Sequence, residues 1–134
     1  MSQLSVNTCK KLLAHLKDKN TIVVSSELLS ELNITVDDIE CAFYVSVHEI
    51  KKDDKYTGKY ILIPAQILFN ARNIYYPLTL AADILYEHIR VINEQEYSKI
   101  IARLIIRYLQ EICFTPKNEL NKELIEYYKQ LALS

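Results

Sequence analysis

The sequence predicts a mainly α fold with a small β element, and three observations carry that expectation. Apolar residues recur at helical spacing through most of the chain and most regularly in its second half. Strand formers gather only in short runs, at residues 21–24 and 59–63, with a third, ambiguous run between them. The single glycine, Gly58, falls in a polar cluster between two of these runs, where a turn belongs. At 134 residues the chain has the size of one domain and can bury roughly two thirds of its unfolded surface. One compact unit is expected, with residues 1–63 and 64–134 as its two halves.

In order along the chain, Asn7 or Thr8 is placed to cap a first helix whose stripe is Cys9, Leu12, Leu13 and Leu16, ending near Lys19 and Asn20. The β-branched run 21–24 follows as a short strand. Ser25 then caps a second helix with Leu28, Leu29 and Leu32 on its buried side, closed by Asn33 in a left-handed conformation. Thr35 and Asp38 have the spacing of a capping box, so a third helix starts at Val36 and buries Ile39, Ala42 and Phe43. Residues 44–50 continue the helical pattern through Val47 and Ile50 yet are rich in strand formers, and periodicity alone does not decide between the two. Strand formers on both sides of the 53–58 cluster favour a hairpin, in which residues 44–50 pair with 59–63 and Gly58 takes a positive φ.

Pro64 suits the first position of a helix carrying Ile67, Leu68, Ala71 and Ile74, and Pro77 is expected to close that segment. From Leu78 the positions Ala81, Ala82, Leu85, Ile89 and Ile92 mark a helix of about four turns, broken at Asn93. The most regular stripe comes next: Tyr97, Ile100, Ile101, Leu104, Ile105, Tyr108 and Ile112. Thr115 and Pro116 then read as the cap and first residue of a last helix with Leu120, Leu124, Tyr127, Tyr128 and Leu131 inside.

The order helix, short strand, helix, tight turn, helix, hairpin over residues 8–63 resembles a winged-helix domain. The stretch Thr21-Ile-Val-Val-Ser-Ser-Glu-Leu-Leu-Ser-Glu-Leu-Asn-Ile-Thr is similar to the strand and second helix of such domains. The resemblance covers under half of the chain and singles out no one family. It implies that residues 35–43 would enter a DNA groove and that residues 51–59 would touch backbone. The third helix departs from that use, since Val36-Asp37-Asp38-Ile39-Glu40 would set three carboxylates against phosphate, and no arginine precedes Arg72. Acids there also complement the helix dipole, and winged helices serve as protein-binding modules too.

Composition removes several chemistries. Net charge is −1, from 16 basic and 17 acidic residues, so phosphate binding needs a local basic patch. One glycine excludes the phosphate loops that need several. Cys9, Cys41 and Cys113 have no metal or redox spacing and read as thiols of a reducing compartment. His15, His48 and His88 fall on separate elements without a neighbouring nucleophile motif. Asp83 and Glu87 share a helix face, with solvation as the simpler reading. No catalytic residue, metal or cofactor is therefore expected, nor a membrane span, since the longest apolar runs are interrupted and fall short of roughly 20 residues. No secretion signal is visible at the start, and an intracellular location is expected, cytoplasmic, or nuclear in a eukaryote.

Two basic groups remain as candidate nucleic-acid contacts: Lys51, Lys52, Lys55 and Lys59 around the turn, and Lys99, Arg103 and Arg107 recurring every four residues on the long helix. Internal pairing of Lys99 with Glu96 and of Arg107 with Glu111 is the competing reading. Tyr75, Tyr76, Tyr127 and Tyr128 are candidate interface aromatics. Ile106 and Leu109 lie off the main stripe of their helix, which points to a second buried side, either a homodimer contact or the centre of the fold. The expected function is that of a non-enzymatic regulator or accessory subunit contacting DNA, or a protein in a nucleic-acid-processing complex. The alternative is a protein-interaction or assembly module without nucleic-acid contact.

Overall fold

Three short sequence signals set the first half. The computed structural model describes residues 3–89 and 93–134. Helix α1 (Gln3–Lys19) is followed by β1 (Val23–Ser25), α2 (Ser26–Glu31), α3 (Val36–Phe43), β2 (Val45–Lys52) and β3 (Lys55–Pro64). Ser25 caps α2 by accepting from the Leu28 amide. Thr35 and Asp38 form the expected reciprocal box at α3, with distances of 3.2 and 3.0 Å. Asn20 and Asn33 adopt positive φ just past α1 and α2, and each helix closes with a pair of backbone bonds, Thr21 N to Leu16 O and Ile34 N to Leu29 O among them. These are Schellman endings in which asparagine stands where glycine is usual. Asn7 and Thr8 do not cap α1. The helix begins earlier because its apolar stripe extends back to Val6, which packs on the core.

The ambiguous run is a strand. Tyr44 takes a left-handed conformation, φ 53°, that ends α3 and turns the chain into β2. β2 pairs antiparallel with β3 from Val45↔Pro64 to Lys52↔Lys55, and β1 pairs with the other edge of β3, giving the order β1-β3-β2. The turn is shorter than the sequence suggests. It consists of Asp53 and Asp54, both at positive φ, the mirror-type hairpin turn whose twist matches the strands. Gly58 does have positive φ, 71°. It lies inside β3, opposite the register shift between Glu49 and Lys51, so it serves a bulge and not the turn. A methyl group there would meet Ser26 Oγ at 3.0 Å.

The second half is helical: α4 (Ala65–Asn70), α5 (Arg72–Ile89), α6 (Glu94–Glu111) and α7 (Glu119–Leu133). Pro64 precedes α4 as its cap residue and ends β3. Pro77 does not close a helix, because the break falls at Ala71 and α5 runs straight through Pro77. The amide that proline lacks would have bonded the carbonyl of Asn73, and both residues are exposed. Thr115 and Pro116 do not start α7. Phe114 N still closes onto Leu109 O to finish α6, and Asn118 supplies the cap, its Oδ1 accepting from Asn121 N at 2.7 Å. The expected apolar position Ile92 lies outside the described residues, as does the side chain of Ile89. One continuous apolar core joins the halves, from Leu12 and Leu16 of α1 through Ile61, Leu62 and Ile63 of β3 to Ile101 and Ile105 of α6 and Leu124 of α7. No described helix is long and apolar enough to cross a membrane.

Candidate functional site

The basic groups do not form one patch. At the hairpin, Lys51 Nζ sits 4.9 Å from the centre of the exposed Tyr56 ring. Lys59, at the base of the hairpin, pairs with Glu94 at 3.5 Å, which turns it toward α6. That leaves Lys51, Lys52 and Lys55 around the Asp53–Asp54 turn. On α6, Arg107 pairs with Glu111 at 3.7 Å, and Arg103 donates to the carbonyls of Ala132 and Ser134, closing the end of α7. The arginines of that stripe serve helix ends and neighbours, at the far end of α6 from the Lys59–Glu94 pair. The outer side of α3 carries Asp37, Cys41 and Tyr44, without a cation.

The interface candidates separate into two kinds. Tyr127 and Tyr128 are buried, and their hydroxyls donate to backbone carbonyls of the first half: Tyr127 to Leu16 and Thr21, Tyr128 to Leu62. Leu109 is 5 % exposed within the core, and Ile106 packs partly buried against it. α6 is thus the central helix, flanked by α5 and α7, and its second apolar side is covered by the chain itself. Tyr75 is half-buried, its hydroxyl 2.9 Å from Ser46 Oγ, whereas Tyr76 is 61 % exposed.

The exposed apolar surface lies on α5. Tyr76, Leu80 and Ile84, spaced four apart, all point outward, with Pro77 beside them. From Asn73 to Ile84 the charged residue is Asp83, which with Glu87 lies on the same side of the helix as Tyr76 and Leu80. Both carboxylates are turned to the hairpin. Asp83 Oδ1 accepts from Lys51 N at 3.0 Å and lies 2.9 Å from His48 Nε2, and Glu87 accepts from Asp53 N at 3.1 Å. Two carboxylates one turn apart thereby occupy an outward amide of edge strand β2 and the first amide of its turn. The solvation expected for them is replaced by this docking role.

A cleft of about 420 Å³ opens between the start of α4, the 114–118 connection and the start of α7. Tyr44 and Phe69, 60 and 70 % exposed, form its mouth, and Phe114 forms part of its wall. Within it, Asn118 and Asn121 stand one turn apart. The Asn118 carboxamide is oriented by its capping bond, so Nδ2 is its free donor. That atom and Asn121 Oδ1 are both buried without a hydrogen-bond partner, and Asn121 is 3 % exposed. The sequence reading named none of these residues. For α5 the signal was present: Leu80 and Ile84 lie off the stripe of Ala81, Ala82 and Leu85, the same test that singled out Ile106 and Leu109. For the cleft there was none, since its residues come from three segments far apart in sequence.

Of the histidines, His15 and His88 are exposed and His48 is held by Asp83. Burial pushes the Cys9 thiol up to about 11, away from nucleophile chemistry. Among the described residues no group of His, Cys, Asp and Glu could hold a metal ion. Comparison with known proteins finds no family model, no curated relative and no solved structure that matches the chain.

Proposed function

We propose that the chain is a non-catalytic assembly module that pairs with a second copy of itself through the outer side of α5. The observation that carries this reading is the exposed apolar row of Tyr76, Pro77, Leu80 and Ile84 on an 18-residue helix. The solvent side of a helix is normally polar, and a contiguous apolar face marks a contact surface. The carboxylates beside this row, Asp83 and Glu87, are taken up by amides of the hairpin, which lessens the like-charge contact that a two-fold pairing would bring. The test is solution mass with Leu80→Asp and Ile84→Asp. Both side chains are exposed, so the double variant keeps its fold. Sedimentation equilibrium at micromolar concentration gives a dimer for the native chain and a monomer for the variant; a native chain that is monomeric throughout overturns the reading.

The second reading is a regulator or accessory subunit that touches nucleic acid, and it is favoured by one feature. Lys51, Lys52 and Lys55 bracket a tight, exposed turn at the tip of the wing, beside the exposed Tyr56. The acidic outer side of α3 supports backbone contact only, without base reading. The two readings concern neighbouring surfaces, since the Lys51 and Asp53 amides dock on Asp83 and Glu87 of α5.

A further inference from the structure

We propose that the cleft at the start of α7 is a peptide-binding site, in which one backbone amide of an extended segment bonds Asn118 and Asn121 while an apolar side chain packs on Tyr44 and Phe69. The inference is independent of the α5 pairing.

A buried polar group without a partner costs about 1–3 kcal/mol, so a free donor and a free acceptor on two residues that line one cleft are a standing cost that a bound group can relieve. Asn118 cannot relieve it by turning over, because its Oδ1 is committed to Asn121 N. Asn121 stands at the position where a glutamate or glutamine would usually reach back to the cap residue, yet its Oδ1 makes no such bond. The site therefore asks for a ligand with a carbonyl for Asn118 Nδ2–H and an N–H for Asn121 Oδ1. A peptide backbone carries both.

The walls narrow the choice. Phe69 and Tyr44 are large apolar groups held in water at the mouth, and the cavity volume is in the range of specific ligand sites. A second, shallower hollow shares Tyr44, Ala65 and Phe69 with the first and runs on toward Glu40 and Ser46, so the occupant is elongated. Among the lining residues of the joined groove the charged ones are Lys117 at one end and Glu40 at the other. A phosphate-bearing strand would gain one cation and meet one carboxylate, with Asp37 close by on α3. A peptide with an acidic residue toward Lys117 and a basic residue toward Glu40 matches both ends. Aromatic walls with a few placed amides are how grooves of this type hold extended peptides.

The test uses the full chain and three small probes, followed by ¹H–¹⁵N spectra that include the side-chain amides. N-acetyl-L-phenylalaninamide carries the ring, the carbonyls and the N–H groups. Its fully N-methylated counterpart lacks the N–H donors, and uridine offers a planar base instead. The expected result is that the first probe shifts the Asn118 and Asn121 side-chain signals and the Phe69 amide, and that N-methylation weakens binding about tenfold. Phe69→Ala and Asn121→Leu should each weaken it by a similar factor, while Leu80→Asp with Ile84→Asp leaves it unchanged. If Asn121→Leu does not fold, Phe69→Ala and Tyr44→Ala decide, since both side chains are exposed. Equal binding of the N-methylated probe, uridine binding in place of the capped amide, or no shift with any probe each overturns the proposal. The last of these would assign the pair to ordered water.

Discussion

The two halves of the molecule solve the same problem, satisfying a buried backbone, in opposite ways. The first half uses devices a few residues long: the Ser25 cap, the Thr35–Asp38 box, the Asn20 and Asn33 endings and a two-residue turn. The second half sends side chains across the molecule. Tyr127 and Tyr128 reach Leu16, Thr21 and Leu62; Ser98 accepts from Ile22 N; Asp83 and Glu87 take Lys51 N and Asp53 N. A short sheet and three helices leave carbonyls and amides at their ends, and the C-terminal helices meet those needs one by one. The wing-like half is therefore a dependent scaffold, held by its neighbour.

That dependence is broken most severely at Tyr128. Its ring is among the largest fully buried side chains, and its hydroxyl meets Leu62 O in the middle strand. Tyr128→Ala is expected to cost about 3–5 kcal/mol through lost burial and a cavity. Tyr128→Phe should cost about 1–3 kcal/mol by stranding the acceptor. Urea unfolding measures both. A cost for the phenylalanine variant near zero would mean that the cross-molecule bonds add nothing to packing, and the comparison would fail.

The same tyrosines give the comparison a pH signature. Burial pushes the Tyr127 hydroxyl up to about 12 and raises Tyr97 and Tyr128 well above the ordinary value near 10. Because the folded state holds these protons more tightly, their contribution is fully present below pH 10 and is lost as pH rises through the folded values. Stability should be level up to about pH 10 and fall between 10 and 12, with phenolate absorbance showing a late-titrating subset among the ten tyrosines. Uniform titration of all ten near 10 while the fold persists would contradict it.

A smaller effect is expected where α5 guards edge strand β2. Asp83→Ala frees the Lys51 amide and leaves His48 without its carboxylate. Asp83 is about one fifth exposed, so the loss is put at about 1 kcal/mol. Its sharper readout is hydrogen exchange, faster at Lys51 in Asp83→Ala and at Asp53 in Glu87→Ala, with β1 and β3 unaffected. Equal acceleration across the whole sheet would show that α5 stabilises the fold generally and does not dock one edge.

The contrast also explains what the sequence disclosed. Local devices are written in neighbouring residues, so the caps of α2 and α3, the αL position of Asn33 and the positive φ of Gly58 were legible, and with them the helical class and the hairpin pairing. Long-range devices are not. Thr115 and Pro116 have the right types for a helix start but lose to Asn118, whose carboxamide meets the amide three residues on. Pro77 reads as a stop because the sequence does not say that it falls on the exposed side of α5. Asp83 and Glu87 read as solvated because their partners are amides more than 30 residues away. On α5 the sequence points to Tyr76, while Leu80 and Ile84, also off the main stripe, complete that exposed row; on α6 the fold itself covers the second side. The cleft could not be foreseen, since Tyr44, Phe69, Asn118 and Asn121 meet only after folding.

The smallest effect belongs to the lysine side chains at the hairpin tip, whose backbone α5 holds through the Lys51 and Asp53 amides. Of the four lysines expected to act together there, Lys59 is drawn off by Glu94, and Lys51, Lys52 and Lys55 remain at the turn with Asp53 and Asp54 between them. Three lysines that each neutralise a phosphate of duplex DNA give a slope of log affinity against log salt of about −2.7, against about −3.6 for four. Binding is expected to be weak and sequence-independent, since the α3 carboxylates keep base edges out of reach. Fluorescence anisotropy with a labelled duplex at low salt measures it. Lys52→Ala with Lys55→Ala should flatten the slope by about 1.8, and Lys59→Ala should leave it unchanged because that side chain points to α6. A slope that responds to Lys59 would put the Glu94 pair in the contact surface and extend the wing down to its base. No binding at low salt would remove nucleic acid from the account and leave the α5 face and the cleft as the surfaces through which this chain acts.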